Sequence, residues 1–405
     1  MRRAVALVEP ATEHAGHWQH ALTHLARAAA TAGHQVAVIT LNGMPAHVHT
    51  LLQEHGVRMA TRPEGVKACL LLALGKGAQR SAARARHLLP HRRLPHQVTL
   101  VARCLTEAAS LHTARHLLGR TPETAVILTA SEALHDLARA LSRTPHLRVV
   151  HEVNTTEDRI VRALGRLVPP RRVLALCPTR SVEDEVRERF PALRTAVHPF
   201  ALANPDERIS PSERTRARQA LDLPEREAVL CLVGGWWPHK DMATVTTALE
   251  HLTQPLHILV AGSPTDPDLL DRMARAPGVD LRALHGPLNP ADIRQVYAAS
   301  SFTAVIRCPG VGKESGLVAD CARFGVPLLL SDHDPDLTGR VRTWATVVPP
   351  QDPVALAHAI DEAATHPPLT PPPAAAEDLG LRTPARMLAL LQSLATEEEQ
   401  SCPHR

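Results

Sequence analysis

Apolar residues come in short unbroken runs, separated by longer stretches in which they recur every three or four positions. In the first half, the runs Ala4–Val8, Gln35–Thr40, Val98–Arg103, Ala125–Leu128, Leu147–Val153, Val173–Leu176 and Ala196–His198 predict buried strands. His17–Ala32 and Ser131–Ser142 carry helical spacing between them. The second half repeats the strand pattern at Ala228–Val233, Leu256–Ala261, Leu281–Leu284, Thr303–Ile306, Leu328–Ser331 and Thr346–Val348. Met242–Leu252, Pro267–Ala274, Pro290–Ala299, Ser315–Phe324 and Pro353–Ala364 are the intervening helices. Alternation of this kind predicts an α/β protein whose parallel sheets are covered on both faces.

The periodicity breaks over Ala201–Ser212, where prolines, serines and an asparagine read as a linker. The expected organisation is therefore a Rossmann-like domain over 1–205 and a second over 206–375. A terminal helix follows over 376–396, with its amphipathic part at Thr383–Leu394, and then a flexible tail over 397–405. The proline-rich run 366–376 should be extended and exposed. A length of 405 residues suits two such domains, each with its own core.

Composition narrows the partners. Aromatic residues make up 2% of the chain, so cores are built from Leu, Val, Ile and Ala and there is little to stack nucleic-acid bases on. The net charge of +4 is small for a nucleic-acid binder. Seven cysteines fall singly, without C-x-x-C, which argues against a zinc site and for a reducing cytoplasm. No apolar stretch reaches the length of a membrane span, and the opening MRRAVALVEPA is too short for a signal segment. An acceptor attached to a membrane would be met at its surface, by peripheral contact.

Ligands of doubly wound sheets bind beyond the carboxyl ends of the strands, so chemistry is sought in the residues after each one. Gly234 and Gly235 follow the strand Ala228–Val233 and lead through Trp236, Trp237, Pro238 and His239 to Lys240, just before a helix. Two glycines permit close backbone approach, and a lysine near a helix N-terminus suits a diphosphate. The same residues also suit an ordinary strand-to-helix turn. After Thr303–Ile306 comes Arg307-Cys308-Pro309-Gly310-Val311-Gly312-Lys313-Glu314-Ser315-Gly316-Leu317, a glycine-rich loop feeding a helix. The amides of Ser315, Gly316 and Leu317 can hold an anion. Asp320 lies on the same helix face as Gly316, where a carboxylate can accept from ribose hydroxyls, and Glu314 stands where it can reach a sugar. Both acids also favour a helix N-terminus electrostatically without any ligand.

On these residues the second half resembles the donor-binding domain of GT-B glycosyltransferases of the GT4 type, the glycosyl transferases group 1 family. The resemblance runs in order through LVGGWWPHKDMATVTTAL, HILVAGSP, HGPLNPADIRQVYAAS, KESGLVADCARFGVPLLLSDHDPDL and VVPPQDPVALAHAI. VALVEPATEHAGHWQHALTHLARAAATAGHQVAVIT is similar, more loosely, to the family's opening strand, glycine loop, helix and second strand. The resemblance implies two Rossmann-like domains facing across a cleft and a last helix that crosses back to the first domain. It implies a retaining hexosyltransferase that takes a nucleotide-sugar donor and needs no metal or other cofactor.

Residue by residue, it makes Gly234, Gly235, Lys240, Lys313, Ser315, Gly316, Leu317 and Asp320 the donor site. Glu314 and His151 become catalytic, and Gly16 and His17 an acceptor-side loop. Two departures stand out. Only five residues separate Glu314 from Asp320, against the family's E-x7-E, and Gly312 occupies the strict register of the first Glu. Gly235 takes the place of an arginine, a lost charge for which Lys313 or Arg307 would compensate. His151 also fits a core or loop histidine, and the Trp236–Trp237 pair fits a donor wall or an interface plug.

Four other readings compete for these residues. A GT-B phosphorylase needs a cofactor lysine in a larger chain, and an epimerase needs other carboxylates and histidines. A degenerate GT-B protein serving as a binding or accessory subunit remains the alternative. A dehydrogenase is disfavoured, because no G-x-G-x-x-G follows the first strand. Leu70–Pro95, rich in Arg and His, reads as a solvated basic face or as a surface for an anionic, membrane-adjacent acceptor.

Overall fold

The computed structural model describes residues 3–10, 17–88, 94–130, 135–151, 153, 173–191, 193–204, 207–263, 266–286, 288–310, 315–366 and 368–400. The chain forms two compact units. One holds Met1–Leu202 together with Thr383–Arg405, and the other holds Ala203–Arg382.

The first unit is built on a seven-stranded sheet of order β3-β2-β1-β4-β5-β6-β7. Its strands are β1 (Ala4–Val8), β2 (Gln35–Ile39), β3 (Arg58–Ala60), β4 (Thr124–Ile127), β5 (His146–Val149), β6 (Val173–Cys177) and β7 (Arg194–Val197). All neighbours run parallel. Period-two alternation sends Val5 and Leu7 of β1 to one face, where they meet Leu22 and Leu25 of α1 (His17–Thr31). Met387, Leu388 and Leu391 of the last helix, Pro384–Gln400, pack in that same core. Ala4, Ala6 and Val8 face the other way, onto Leu111, Ala114 and Leu118.

Those three residues belong to a long helix, α4 (Leu94–Leu118), which pairs with α3 (Val66–Leu88). The expected strand Val98–Arg103 is therefore wrong, since it is one turn and more of α4. Its β-branched residues mimic a strand locally, but tertiary packing overrides that preference. A Cβ at Gly75 of α3 would sit 3.0 Å from the Ala102 carbonyl oxygen, so glycine lets the two backbones approach. Thr106, Ser110 and Thr113 hide their hydroxyls by donating to carbonyls four residues back.

The second unit is a six-stranded parallel sheet of order β10-β9-β8-β11-β12-β13. Its strands are β8 (Val229–Val233), β9 (Leu256–Gly262), β10 (Val279–His285), β11 (Phe302–Val305), β12 (Leu328–Ser331) and β13 (Ala345–Val348). The apolar side chains Leu230 and Leu232 pack on Val245 and Leu249 of the helix Met242–Leu249 and on Leu356 and Ile360 of Pro353–Thr365. The proline-rich run is less open than expected. Pro371 is buried, Ala375–Asp378 is helical, and the Arg208 guanidinium donates to the carbonyls of Pro371 and Pro372 at 2.9 and 3.2 Å.

Candidate functional site

Strand order reverses between β8 and β11, where β9 and β10 build one way and β12 and β13 the other. That switch point is where an open parallel sheet leaves a crevice at its carboxyl edge. Two loops arrive there. The loop after β8 turns at Gly234, whose φ is +85°, and its amide donates to the Ala261 carbonyl at 2.7 Å. A Cβ on Gly262 would lie 2.9 Å from Gly234 backbone atoms, so the end of β9 must be bare for this turn to pass.

The loop then runs antiparallel to the segment after β11, with Lys240 bridging Arg307. The Asp241 amide donates to Ile306 O at 3.1 Å, and the Cys308 amide donates to His239 O at 3.1 Å. Asp241 next caps the helix Met242–Leu249 by accepting from the Thr244 amide at 3.1 Å.

This zipper sets two cations side by side. The Lys240 ammonium curls back and donates to the Val233 carbonyl at 2.8 Å, and among the described residues it has no carboxylate partner. Burial, with the positive charge of Arg307 beside it, pushes Lys240 down to about 8. Arg307 is 4% exposed. Its amide donates to Ser331 Oγ at 2.8 Å, which ties it to the end of β12. His333 completes the edge. Its Nδ1 lies 2.8 Å from the Ser331 carbonyl, so that nitrogen carries the proton, and its buried Nε2 has no partner among the described residues. Burial, then Arg307, holds His333 down at about 4, so it is neutral at pH 7.

The next element at this edge is the helix α11 (Gly316–Phe324). Ser315 is its N-cap, and its hydroxyl accepts from the Val318 amide at 3.4 Å. The amides of Gly316 and Leu317 are first-turn donors with no partner inside the helix, and both residues are half-buried. Leu317 and Lys240 line one small cavity with Val233 and Ile306, so the lysine and the helix start are brought together.

A second hollow of about 430 Å³ opens beside them, lined by Trp236, Trp237, Lys240, Asp266 and Cys308. The two tryptophans divide their work. Trp236 is in the core, while Trp237 is 51% exposed and its indole edge stands 3.2 Å from where a Gly235 Cβ would be. Asp320 is buried with one oxygen 2.8 Å from Arg323, whose guanidinium lies over the Phe324 ring.

In the first unit, His151 follows β5 and is half-buried. Its Nε2 lies 3.0 Å from the Leu128 carbonyl and its ring meets Phe200 edge-on at 6.1 Å. A carbonyl only accepts, so Nε2 carries the proton. Beside it the unit has its own switch point, between β1 and β4. There the buried Glu9 accepts from the Thr129 hydroxyl, and Arg103 donates to the Thr129 carbonyl at 2.8 Å. Sequence reasoning passed over Glu9 and His333. The available signal was a polar residue just beyond an apolar run, Glu9 after Ala4–Val8 and His333 two places after Leu328–Ser331. Gly16, Lys313 and Glu314 lie outside the described residues, and His17 is described only as the first residue of α1. Among the described residues, no group of three or more His, Cys, Asp or Glu is placed to hold a metal.

No known family's profile matches the chain. Over 162 residues it is 30% identical to the D-inositol 3-phosphate glycosyltransferases of Mycobacterium tuberculosis and Mycobacterium bovis. That match takes in 37% of this chain and 32% of theirs, so the chain spans about a third of the length of the curated relatives it matches. The structure resembles Anabaena HepE in complex with UDP and glucose, with a TM-score of 0.61 and 14% identity over 99% of this chain and 98% of that one. It resembles a Rickettsia africae glycosyltransferase with a TM-score of 0.58 and 11% identity, over 98% and 94%. WaaG, a glycosyltransferase involved in lipopolysaccharide biosynthesis, scores 0.56 at 16% identity, over 98% of both chains. The fold is GT-B, with one Rossmann-like domain in each unit.

Proposed function

We propose that this chain is a glycosyltransferase that moves a sugar from a nucleotide-diphosphate-sugar to an acceptor hydroxyl, with retention and without a bound metal. The observation that carries the reading is the pairing of two cations, the half-buried Lys240 and the buried Arg307, beside the first turn of α11. Two cations held side by side away from water repel one another, and a diphosphate bound there would offset their charge. The glycosyltransferase relatives and the UDP-glucose complex of HepE favour the same ligand class. Arg307 then stands in for the arginine that Gly235 replaces, since a side chain at 235 would press on the Trp237 indole.

As the glycosidic bond lengthens, negative charge grows on the departing diphosphate. Lys240, Arg307 and the Gly316 and Leu317 amides are aimed at that charge before it forms. Neutral His333 adds no repulsion and keeps an acceptor available. Glu314 would hold the sugar and Asp320 the ribose, and His151 with Gly16 and His17 would belong to the acceptor side. The resemblance carries those roles and the retention of configuration.

The displaced arginine, and a ribose carboxylate already paired with Arg323, favour a second reading. In that reading the chain is a degenerate GT-B subunit that binds without catalysing. Calorimetry and hydrolysis assays against UDP-, GDP- and dTDP-sugars separate the two. We expect one donor to bind and to be hydrolysed slowly. Arg307→Ala and Lys240→Ala should each weaken binding by roughly tenfold to a hundredfold, the worth of a charge-assisted hydrogen bond. Binding without turnover, unchanged in Glu314→Gln, would leave the accessory reading. Binding of none would remove both.

A further inference from the structure

Three of the eight large apolar side chains exposed among the described residues lie on one helix. Val66, Leu70 and Leu74 of α3 are 87%, 59% and 53% exposed. Their spacing stacks them in one outward stripe, while Ala68, Leu72 and Ala82 face inward and are buried. Nothing in the fold requires that stripe, because α3 already packs on α4 through its inner side.

The charge around it is one-sided. Between Glu64 and Glu107 the sequence holds eight Lys and Arg and no Asp or Glu, in a chain whose net charge is +4. The rest of the chain is therefore net acidic, and the α3–α4 pair is its cationic pole. Lys67, Lys76, Arg80 and Arg84 are all exposed on α3 itself. At the start of the stripe a hollow of about 370 Å³ is lined by Glu64, Val66, Lys67, His112, Arg115 and Arg120. Arg115 there donates to a neutral carbonyl, that of Ser142.

Apolar side chains and cations on one exposed helical face match an anionic interface with an apolar interior. Nucleic acid would use the cations but not the stripe, and neither α3 nor α4 holds an aromatic residue for stacking. We propose that the outer face of α3 docks on an anionic lipid bilayer. Val66, Leu70 and Leu74 enter the boundary between headgroups and acyl chains, while Lys76, Arg80 and Arg84 meet acidic headgroups. The inference is independent of the sugar-transfer reading, since none of these residues belongs to that site.

The test is flotation of the purified full chain with vesicles of phosphatidylcholine alone, or of phosphatidylcholine containing phosphatidylglycerol. The intact chain should float only with the anionic vesicles, and less so as salt rises. R80E/R84E and L70E/L74E should each lower the bound fraction by roughly tenfold or more. All four residues are exposed, so both variants should keep the parent's unfolding temperature. The proposal is overturned if the intact chain ignores anionic vesicles. It is also overturned if L70E/L74E floats like the parent, which would reduce the surface to plain charge. A concentration-dependent dimer that L70E/L74E dissolves, without vesicle binding, would assign the stripe to a second copy instead.

Discussion

Each unit holds a cation in its sheet region largely or wholly out of water, and the two are treated in opposite ways. Arg148 of β5 is fully buried, and its Nη2 lies 2.8 Å from the carboxylate of Glu107 on α4, which is fully buried too. His146, two residues away on the same strand face, gives Arg148 a further neighbour at 3.2 Å. Lys240 is half-buried, hydrogen-bonded to a carbonyl, and set against a second cation. The first arrangement is closed within the fold. The second leaves Lys240 with no carboxylate partner among the described residues, and under the proposed function an anion from outside would complete it. Burial of a charge is therefore handled in two ways here, with a counter-ion inside the fold for Arg148 and without a carboxylate among the described residues for Lys240.

The largest expected effect comes from opening the closed pair. Glu107→Ala strands the Arg148 guanidinium and should destabilise the first unit by about 3–5 kcal/mol in chemical denaturation. Replacing both partners by apolar residues of similar size should recover most of that loss. A single-variant cost below about 1 kcal/mol would erase the contrast between the units.

The same experiment in the second unit should have the opposite sign. Lys240→Met removes a half-buried cation that has no carboxylate partner among the described residues, so it should raise the unfolding temperature of the free protein by a few degrees, as a gain of about 1 kcal/mol does. It should at the same time abolish the preference for a diphosphate. The pH dependence agrees in sign. Lys240 is lowered to about 8 in the folded chain, from an ordinary 10.5. The unfolded chain binds the extra proton between those values, so the stability penalty is full below about 8 and is relieved as pH rises toward 10.5. Donor affinity should run the other way and fall above about 8, as the ammonium is lost.

The smallest effect belongs to His333. It is lowered from 6.5 to about 4, so the unfolded chain takes up a proton first as pH falls through that window, and stability drops with it. His333→Gln should flatten that acid limb in a pH series of thermal melts. An unchanged limb would show that His333 does not titrate on unfolding.

Much of this was legible in the sequence, because buried parallel strands are nearly pure apolar runs. Ala4–Val8 and Leu328–Ser331 have the boundaries read from the residues. Gly234, Lys240 and Ser315 were legible for the same reason, since each follows such a run. The run Val98–Arg103 misled, because a helix that buries small residues and back-bonded hydroxyls leaves little 3.6-residue contrast. The helix Pro335–Val341 and the short strand Arg58–Ala60 carry too few residues for any period to register. The nearness of Arg307 to Lys240 was not legible as a contact. It depends on strands far apart in sequence becoming neighbours, as β8 and β11 do.

The antiparallel bridge between the loops after β8 and β11 has a kinetic side. Segments that arrive from opposite wings of the sheet are already fastened to one another by main-chain bonds. A ligand bound as proposed would find these two segments already gathered. Its capture should then follow encounter and ionic strength rather than any slow rearrangement of these two segments.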